Sequence, residues 1–284
     1  MDYWEVFESP RVIGPQDIPQ WDTFMVVDLQ EDFFPGGNLP VPGADQLVYL
    51  LQQFITVIYQ INGLLIFTRD YHPFDHCSFI DNGGRFPRHC QEATPGANII
   101  APVAKLMNDL VREKGDCNQI KVMFKGFYRN IDSFGSFSYN REYALERHLC
   151  SKEKEDGGDI DLTGAFELPT INREIFDLSD LTRPIIGYNI NVPPLVLDCS
   201  KGLRTSQLVI TGGDLWLTGL SFDYCVLDTA ITARCSGCFR NIRIIVNLSR
   251  PVDSDPKHLS LIKPYLNSFQ IELVIWLVPD KKVL

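Results

Sequence analysis

Six short apolar runs recur along this chain: TFMVVD (Thr23–Asp28), GLLIFT (Gly63–Thr68), QIKVMF (Gln119–Phe124), DLWLTG (Asp214–Gly219), NIRIIVN (Asn241–Asn247) and IELVIWLV (Ile271–Val278). Runs that are apolar throughout, rather than alternating, suit strands covered on both faces. Amphipathic segments separate them. From Ala44 a stripe of Leu47, Leu50, Leu51, Phe54, Val57, Ile58 and Ile61 has helical spacing and stops at Asn62-Gly63. Val226, Leu227, Ala230 and Ile231 mark a helix after the fourth run, and Pro256 to Asn267 reads as another. The pattern predicts one α/β domain over 1–284, a mostly parallel six-stranded sheet with helices on both faces. Residues at about 151–206 break the rhythm with SKEKEDGGDIDLTG and later prolines, and are expected to be an insertion.

Sites in such sheets form beyond the carboxyl ends of the strands. Asp28, Asp70, Lys125 and Cys225 all fall at or just past such ends, so the architecture can gather them. The formal charge of -10 and pI of about 5.0 disfavour a nucleic-acid partner. No apolar run is long enough for a bilayer, and the N-terminus MDYWEVFESPR lacks a signal-peptide pattern. A cytoplasmic protein is expected, with the nucleus as a second location. Eight scattered cysteines in a chain of this length do not suggest a disulfide framework, and the lone Cys235-x-x-Cys238 pair reads as a helix end.

The densest chemical signal is TRDYHPFDHCSFIDNGGRFPRHC, Thr68 to Cys90. Asp70 and His72 alternate in an extended segment and can face one point, while His89 returns from a loop after glycines and Pro87. One carboxylate and two imidazoles with open positions suit a catalytic divalent metal, Zn2+ first, with Fe2+ or Mn2+ as the other candidates. His72 and His76 have zincin spacing, but Pro73 and the absence of the HExxH glutamate oppose that reading.

In GLSFDYCVLDTA, Cys225 follows a strand and opens a helix, where the helix dipole and free amides favour a thiolate. A buried, inert thiol is the commoner fate of a free cysteine. No histidine base lies nearby in sequence, which leaves Asp28 as the candidate. Lys125 closes an apolar run, and a buried lysine is expensive unless paired. Pairing with Asp28 and the sulfur would explain it; snorkelling to solvent is the bland alternative.

Taken together, VVDLQEDFFPGGNLPVPG, FTRDYHPFDHCSF, RFPRHCQEATPGA, FKGFYRNIDSFGSF and GLSFDYCVLDTAITA resemble, in order, the nicotinamidase/pyrazinamidase group of the isochorismatase-like cysteine hydrolases. The resemblance covers most of the chain outside the insertion and implies a Rossmann-like three-layer fold. It implies Asp28, Lys125 and Cys225 as catalytic triad and Asp70, His72 and His89 as metal ligands, with His76, Ser78, Asp81 or water as an additional ligand. Phe33, Phe86, Phe134, Leu220, Ser221 and Tyr224 would form the substrate pocket, and a cis Leu220–Ser221 peptide would aim the Ser221 and Cys225 amides at an oxyanion. The family usually has tryptophan where Phe86 stands, implying a looser pocket, and often a small residue at Ser221.

The implied reaction is hydrolysis of nicotinamide to nicotinate and ammonia through a cysteine thioester, in NAD salvage. The expected partner is this small molecule, with no nucleic acid or membrane and with homo-oligomerisation left open. Competing readings are a sibling amidase for another small amide, a vinyl-ether hydrolase, which lacks this metal site, and a silent scaffold that binds a partner through the insertion.

Overall fold

The strands form where the apolar runs predict them because both faces of each are covered. In a computed structural model, Thr23–Val27 (β2), Leu64–Asp70 (β3), Ile120–Lys125 (β4), Leu215–Leu220 (β7), Ile242–Arg250 (β8) and Ile271–Trp276 (β9) pair in parallel. The structure describes residues 2–7, 10–19, 22–114, 119–126, 129, 132, 134–137, 166–167, 195–196 and 213–277. Every residue of β2 and β7 is buried. Successive side chains of β2 point to opposite faces. Phe24 and Val26 join a core with Leu51, Phe54 and Ile58 of helix α1 (Val48–Gln60) and Val103 and Met107 of helix α2 (Ala101–Lys114). Met25 and Val27 join the opposite core with Ala230 and Ile231 of helix α3 (Leu227–Ser236). Asn62, with φ of 61°, closes the end of the α1 segment where Asn62-Gly63 predicts a stop.

With Arg11–Ile13 as β1, Phe166–Glu167 as β5 and Leu195–Val196 as β6, the sheet order is β1-β9-β8-β7-β2-β3-β4-β5-β6. Several features depart from the sequence expectation. Arg11–Ile13 (β1) adds a seventh parallel strand beside β9; three residues with one buried side chain carry no apolar run to announce it. Pro256–Asn267 is not one helix but two, Pro256–Ser260 (α4) and Lys263–Ser268 (α5), because Pro264 at the start of the second lacks the N–H that a continuous helix would use. Helix α2 was not anticipated, although Val103, Ala104, Met107 and Leu110 form its buried stripe. Two antiparallel two-residue strands, Phe166–Glu167 (β5) and Leu195–Val196 (β6), complete the sheet. The rest of the expected insertion at 151–206 lies outside the described residues.

Among the described cysteines, Cys90, Cys225 and Cys235 are free thiols, whereas Cys77 and Cys238 are disulfide-bonded. The scattered cysteines were not expected to form disulfides, so these two depart from the sequence reading. The Cys235-x-x-Cys238 pair does mark a helix end: Cys235, a free thiol, lies in the last turn of α3, which Gly237 ends in a left-handed conformation. Among the described residues no helix is long and apolar enough to cross a membrane.

β2 is central. Its chain leaves through α1 on one face towards β3, while β7, on its other side, leads into α3 on the opposite face. The crevice at such a divergence lies beyond the carboxyl ends of β2, β3, β4 and β7.

Candidate active site

Asp28 ends β2 with φ of 49° and is fully buried. The left-handed backbone, which aspartate tolerates better than most residues, turns the carboxylate across the strand ends. Lys125, the last residue of β4, is 2% exposed and reaches the same point. Its Nζ donates to Asp70 Oδ1 and to Cys225 Sγ at 3.4 Å, and forms an ion pair with Asp28 Oδ2 at 2.7 Å. The ammonium thus faces two carboxylates and one sulfur at once. Snorkelling is excluded, and the three widely separated side chains converge.

Cys225 lies in the turn Phe222–Val226 between β7 and α3 and is 5% exposed. The Leu220–Ser221 peptide before it is cis, and Ser221 O accepts from the amides of Tyr224 and Val226 at 3.2 and 3.0 Å, which tightens the turn. Asp223 anchors this turn to the loop after β8, accepting from the amides of Val252 at 2.8 Å and Asp253 at 3.1 Å. Gly219 sits with φ of 104° and Val27 O only 2.1 Å from where a Cβ would lie, so only glycine lets β7 approach β2 this closely.

Burial dominates the protonation of this cluster. It pushes the Asp28 carboxyl up to about 6 against the pull of Lys125. It also pushes the Cys225 thiol well above its ordinary value, against the opposing effect of Lys125. The thiolate expected from the helix N-terminus is therefore not the resting form. Burial disfavours the Lys125 ammonium too, but Asp28 and Asp70 outweigh it and keep the charge. At neutral pH the cluster holds a carboxylate, an ammonium and a protonated thiol.

Asp70, His72 and His89 form the second cluster, with one ligand atom of each within 4.8 Å of the others. His72 Nδ1 donates to Gly126 O at 2.8 Å and His89 Nδ1 to Pro87 O at 2.8 Å. Both tautomers are thereby fixed with the Nε2 lone pair available, the arrangement that supports metal-bound histidines. His72 Nε2 is buried without a hydrogen-bond partner and lies 3.6 Å from Asp70 Oδ2. Burial, then His72, lowers the His89 value to about 4, so its imidazole is neutral. An orphaned buried nitrogen, a neutral imidazole and a carboxylate held ionised by Lys125 fit a divalent cation.

Of the further ligand candidates, His76 and Ser78 bond to each other, with His76 Nδ1 2.7 Å from Ser78 Oγ. The Ser78 amide donates to His76 Nδ1 at 3.2 Å, and the His76 ring stacks on His72 with centroids 4.0 Å apart. Asp81 is at the surface, bonded to Arg88 at 2.7 Å.

Gly126 faces this cluster with φ of 64°; a Cβ there would lie 2.5 Å from His72 Cε1 and 2.8 Å from Nδ1. Gly126→Ala must displace the ring. Its divalent-metal affinity is expected to fall by about 10–100-fold, the usual cost of disturbing a ligand's support, as measured by competition with a chromogenic chelator.

The predicted pocket residues also assemble. The rings of Phe86, Phe134 and Tyr224 meet edge to face, with centroids 6.1 Å (Phe86–Phe134), 5.9 Å (Phe86–Tyr224) and 5.5 Å (Phe134–Tyr224) apart. Phe86 and Phe33 each lie 5.7 Å from the His89 ring, so the aromatic wall runs directly into the His cluster. Ser136, whose amide and hydroxyl meet Thr229 Oγ1 at 3.2 and 3.0 Å, pins the Phe134 segment to α3. Leu220 is fully buried and Ser221 8% exposed at the base of the turn.

Sequence reading missed several supports. Gln30, fully buried, donates to Asp70 O at 2.7 Å and accepts from Asp70 N at 2.7 Å, locking the backbone of that residue. Asp32 accepts from the amides of Cys90 at 2.7 Å and Asn38 at 3.0 Å. Thr68 bonds Asp28. The acid-rich LQEDFF run was the only signal for the first two.

Residues 22–128 match the isochorismatase domain. A nicotinamidase of Acinetobacter baylyi is 33% identical over 133 residues, 40% of this chain and 53% of that protein. The match thus spans about half the length of that relative. Among solved structures, PnC1 of L. infantum in complex with nicotinate superposes with a TM-score of 0.57 at 21% identity, covering 92% of this chain and 98% of that one. Pyrazinamidase of Pyrococcus horikoshii in complex with zinc gives 0.54 at 21% identity, covering 90% and 99%. At those identities the superpositions establish the fold.

Fold and site define a three-layer α/β protein whose strand ends hold a buried carboxylate, ammonium and thiol beside a carboxylate–imidazole cluster. Over residues 22–128 the chain is similar to the isochorismatase domain, and its fold is that of the two superposed structures.

Proposed function

We propose that this protein hydrolyses nicotinamide to nicotinate and ammonia, with Cys225 as nucleophile, and serves NAD salvage. The observation that carries the reading is the contact of Lys125 Nζ with both Asp28 Oδ2 at 2.7 Å and Cys225 Sγ at 3.4 Å in a buried site. The names of the relatives support it: the A. baylyi protein is a nicotinamidase, and the L. infantum structure holds nicotinate.

Asp28, ionised above about pH 6, takes the proton of Cys225 as sulfur attacks the carboxamide carbon. Lys125 holds acid and sulfur together and stabilises the thiolate as it forms. The Ser221 and Cys225 amides receive the developing oxyanion, a contribution of roughly 10²–10³-fold per donor. Protonated Asp28 then returns its proton to the departing ammonia, and water cleaves the thioester to nicotinate. Phe33, Phe86, Phe134 and Tyr224 wall the ring. Asp70, His72 and His89 would hold a divalent metal, Zn2+ by donor chemistry and by analogy with the zinc-bound P. horikoshii structure, which supplies a Lewis-acidic anchor for the pyridine nitrogen.

The test is ammonia release from nicotinamide by zinc-loaded and chelated protein across pH. The zinc-loaded form is expected to turn over, with kcat/KM rising to a plateau as pH passes about 6, where Asp28 ionises. The chelated form is expected to lose most of its activity. No release by the loaded form would reject the reading.

A further inference from the structure

Thr68 is 1% exposed on β3 beside the end of β2. The β2–β3 ladder ends with Val26 opposite Phe67, and Asp28 then swings into a left-handed conformation. The Thr68 side chain takes up the next pairing. Its Oγ1 accepts from the Asp28 amide at 3.2 Å and donates to Asp28 Oδ1 at 2.6 Å. A hydroxyl has one proton. Sent to Oδ1, it makes that oxygen an acceptor. The second oxygen, Oδ2, is buried, is ion-paired with Lys125 Nζ at 2.7 Å and makes no hydrogen bond.

We propose that Thr68 is a positioning residue that divides the labour of the Asp28 oxygens, committing Oδ1 to the hydroxyl and leaving Oδ2 as the one that receives the Cys225 proton and later delivers it to the leaving amine. The S–H bond breaks as Oδ2–H forms, and the sulfur electron pair goes to the carboxamide carbon. This deepens the amidase reading and rests on it. Without the hydroxyl, either oxygen can turn towards Lys125, and the backbone of Asp28 loses the acceptor that holds its turn.

Thr68→Val keeps the shape and removes the hydroxyl; Thr68→Ser keeps the hydroxyl and removes the methyl. Thr68→Val is expected to lower kcat for nicotinamide by about 10–100-fold, the weight of a positioned general base, with KM and bound metal close to wild type. Thr68→Ser is expected to restore most of that loss. Equal loss in both variants, or Thr68→Val turning over at the wild-type rate, would overturn the proposal.

A second measurement needs no substrate: alkylation of Cys225 by iodoacetamide, followed by peptide mass spectrometry with exposed Cys235 as internal control. Thr68→Val is expected to slow alkylation at Cys225 several-fold and leave Cys235 alone; unchanged reactivity at Cys225 would overturn the assignment even if nicotinamide proved not to be the substrate. Wild-type protein inactive on nicotinamide but with alkylation that depends on Thr68 would reject the substrate and keep the positioning role.

Discussion

Cys225→Ala is expected to abolish ammonia release from nicotinamide, lowering kcat by roughly 10⁴-fold or more, as removal of an attacking atom does in other covalent hydrolases. The substitution removes one sulfur from a site that is 5% exposed and leaves Asp28 and Asp70 still paired with Lys125. The fold, the bound metal and nicotinamide affinity should therefore survive. Initial rates, metal content and equilibrium binding of nicotinamide to the variant check this together. A variant that binds metal and nicotinamide but turns over at the wild-type rate would remove Cys225 from the chemistry.

The second large effect falls on Lys125. Lys125→Met leaves two carboxylates, Asp28 and Asp70, buried and facing each other without a cation between them. Breaking a buried ion pair from one side costs about 3–5 kcal/mol, because the remaining charge is uncompensated. The expected result is a urea midpoint lowered by that much stability at neutral pH, together with loss of turnover. The sign with pH follows from Asp28. Its folded carboxyl is raised towards 6 even with Lys125 present, so its contribution to stability is full below the ordinary carboxylate range and is lost as pH rises through about 6. Without the lysine that raise grows. The deficit of Lys125→Met should therefore shrink on acidification from neutral pH, and a deficit independent of pH would contradict the pairing.

The parallel strands and the gathering of the site at their ends were legible because both are written in strong local signals. Each parallel strand from β2 onward is a run of apolar residues, and Asp28, Asp70 and Lys125 are polar residues at their ends, where burial without a partner is too costly to be accidental. β1 was illegible because Arg11–Ile13 buries a single side chain and takes its pairing entirely from β9. Pro264 was visible, yet the apolar stripe on either side of it hid the break between α4 and α5.

In the site, what escaped was everything whose meaning depends on a neighbour from another strand. Thr68 reads as an ordinary β-branched strand residue until Asp28 is placed beside it. Gln30 gains its role only when the backbone of Asp70 meets its amide. The protonated state of Cys225 escaped for the same reason: the helix start is local and visible, whereas the burial that outweighs it comes from β2, β4 and the aromatic wall.

The most direct measurement is intact-mass analysis of metal-loaded protein quenched in acid during turnover of nicotinamide. A nicotinoyl adduct that maps to the Cys225 peptide and is absent from Cys225→Ala is the predicted result. Steady ammonia release with Cys225 unmodified at every quench time, and retained in Cys225→Ala, would contradict a thioester at this sulfur.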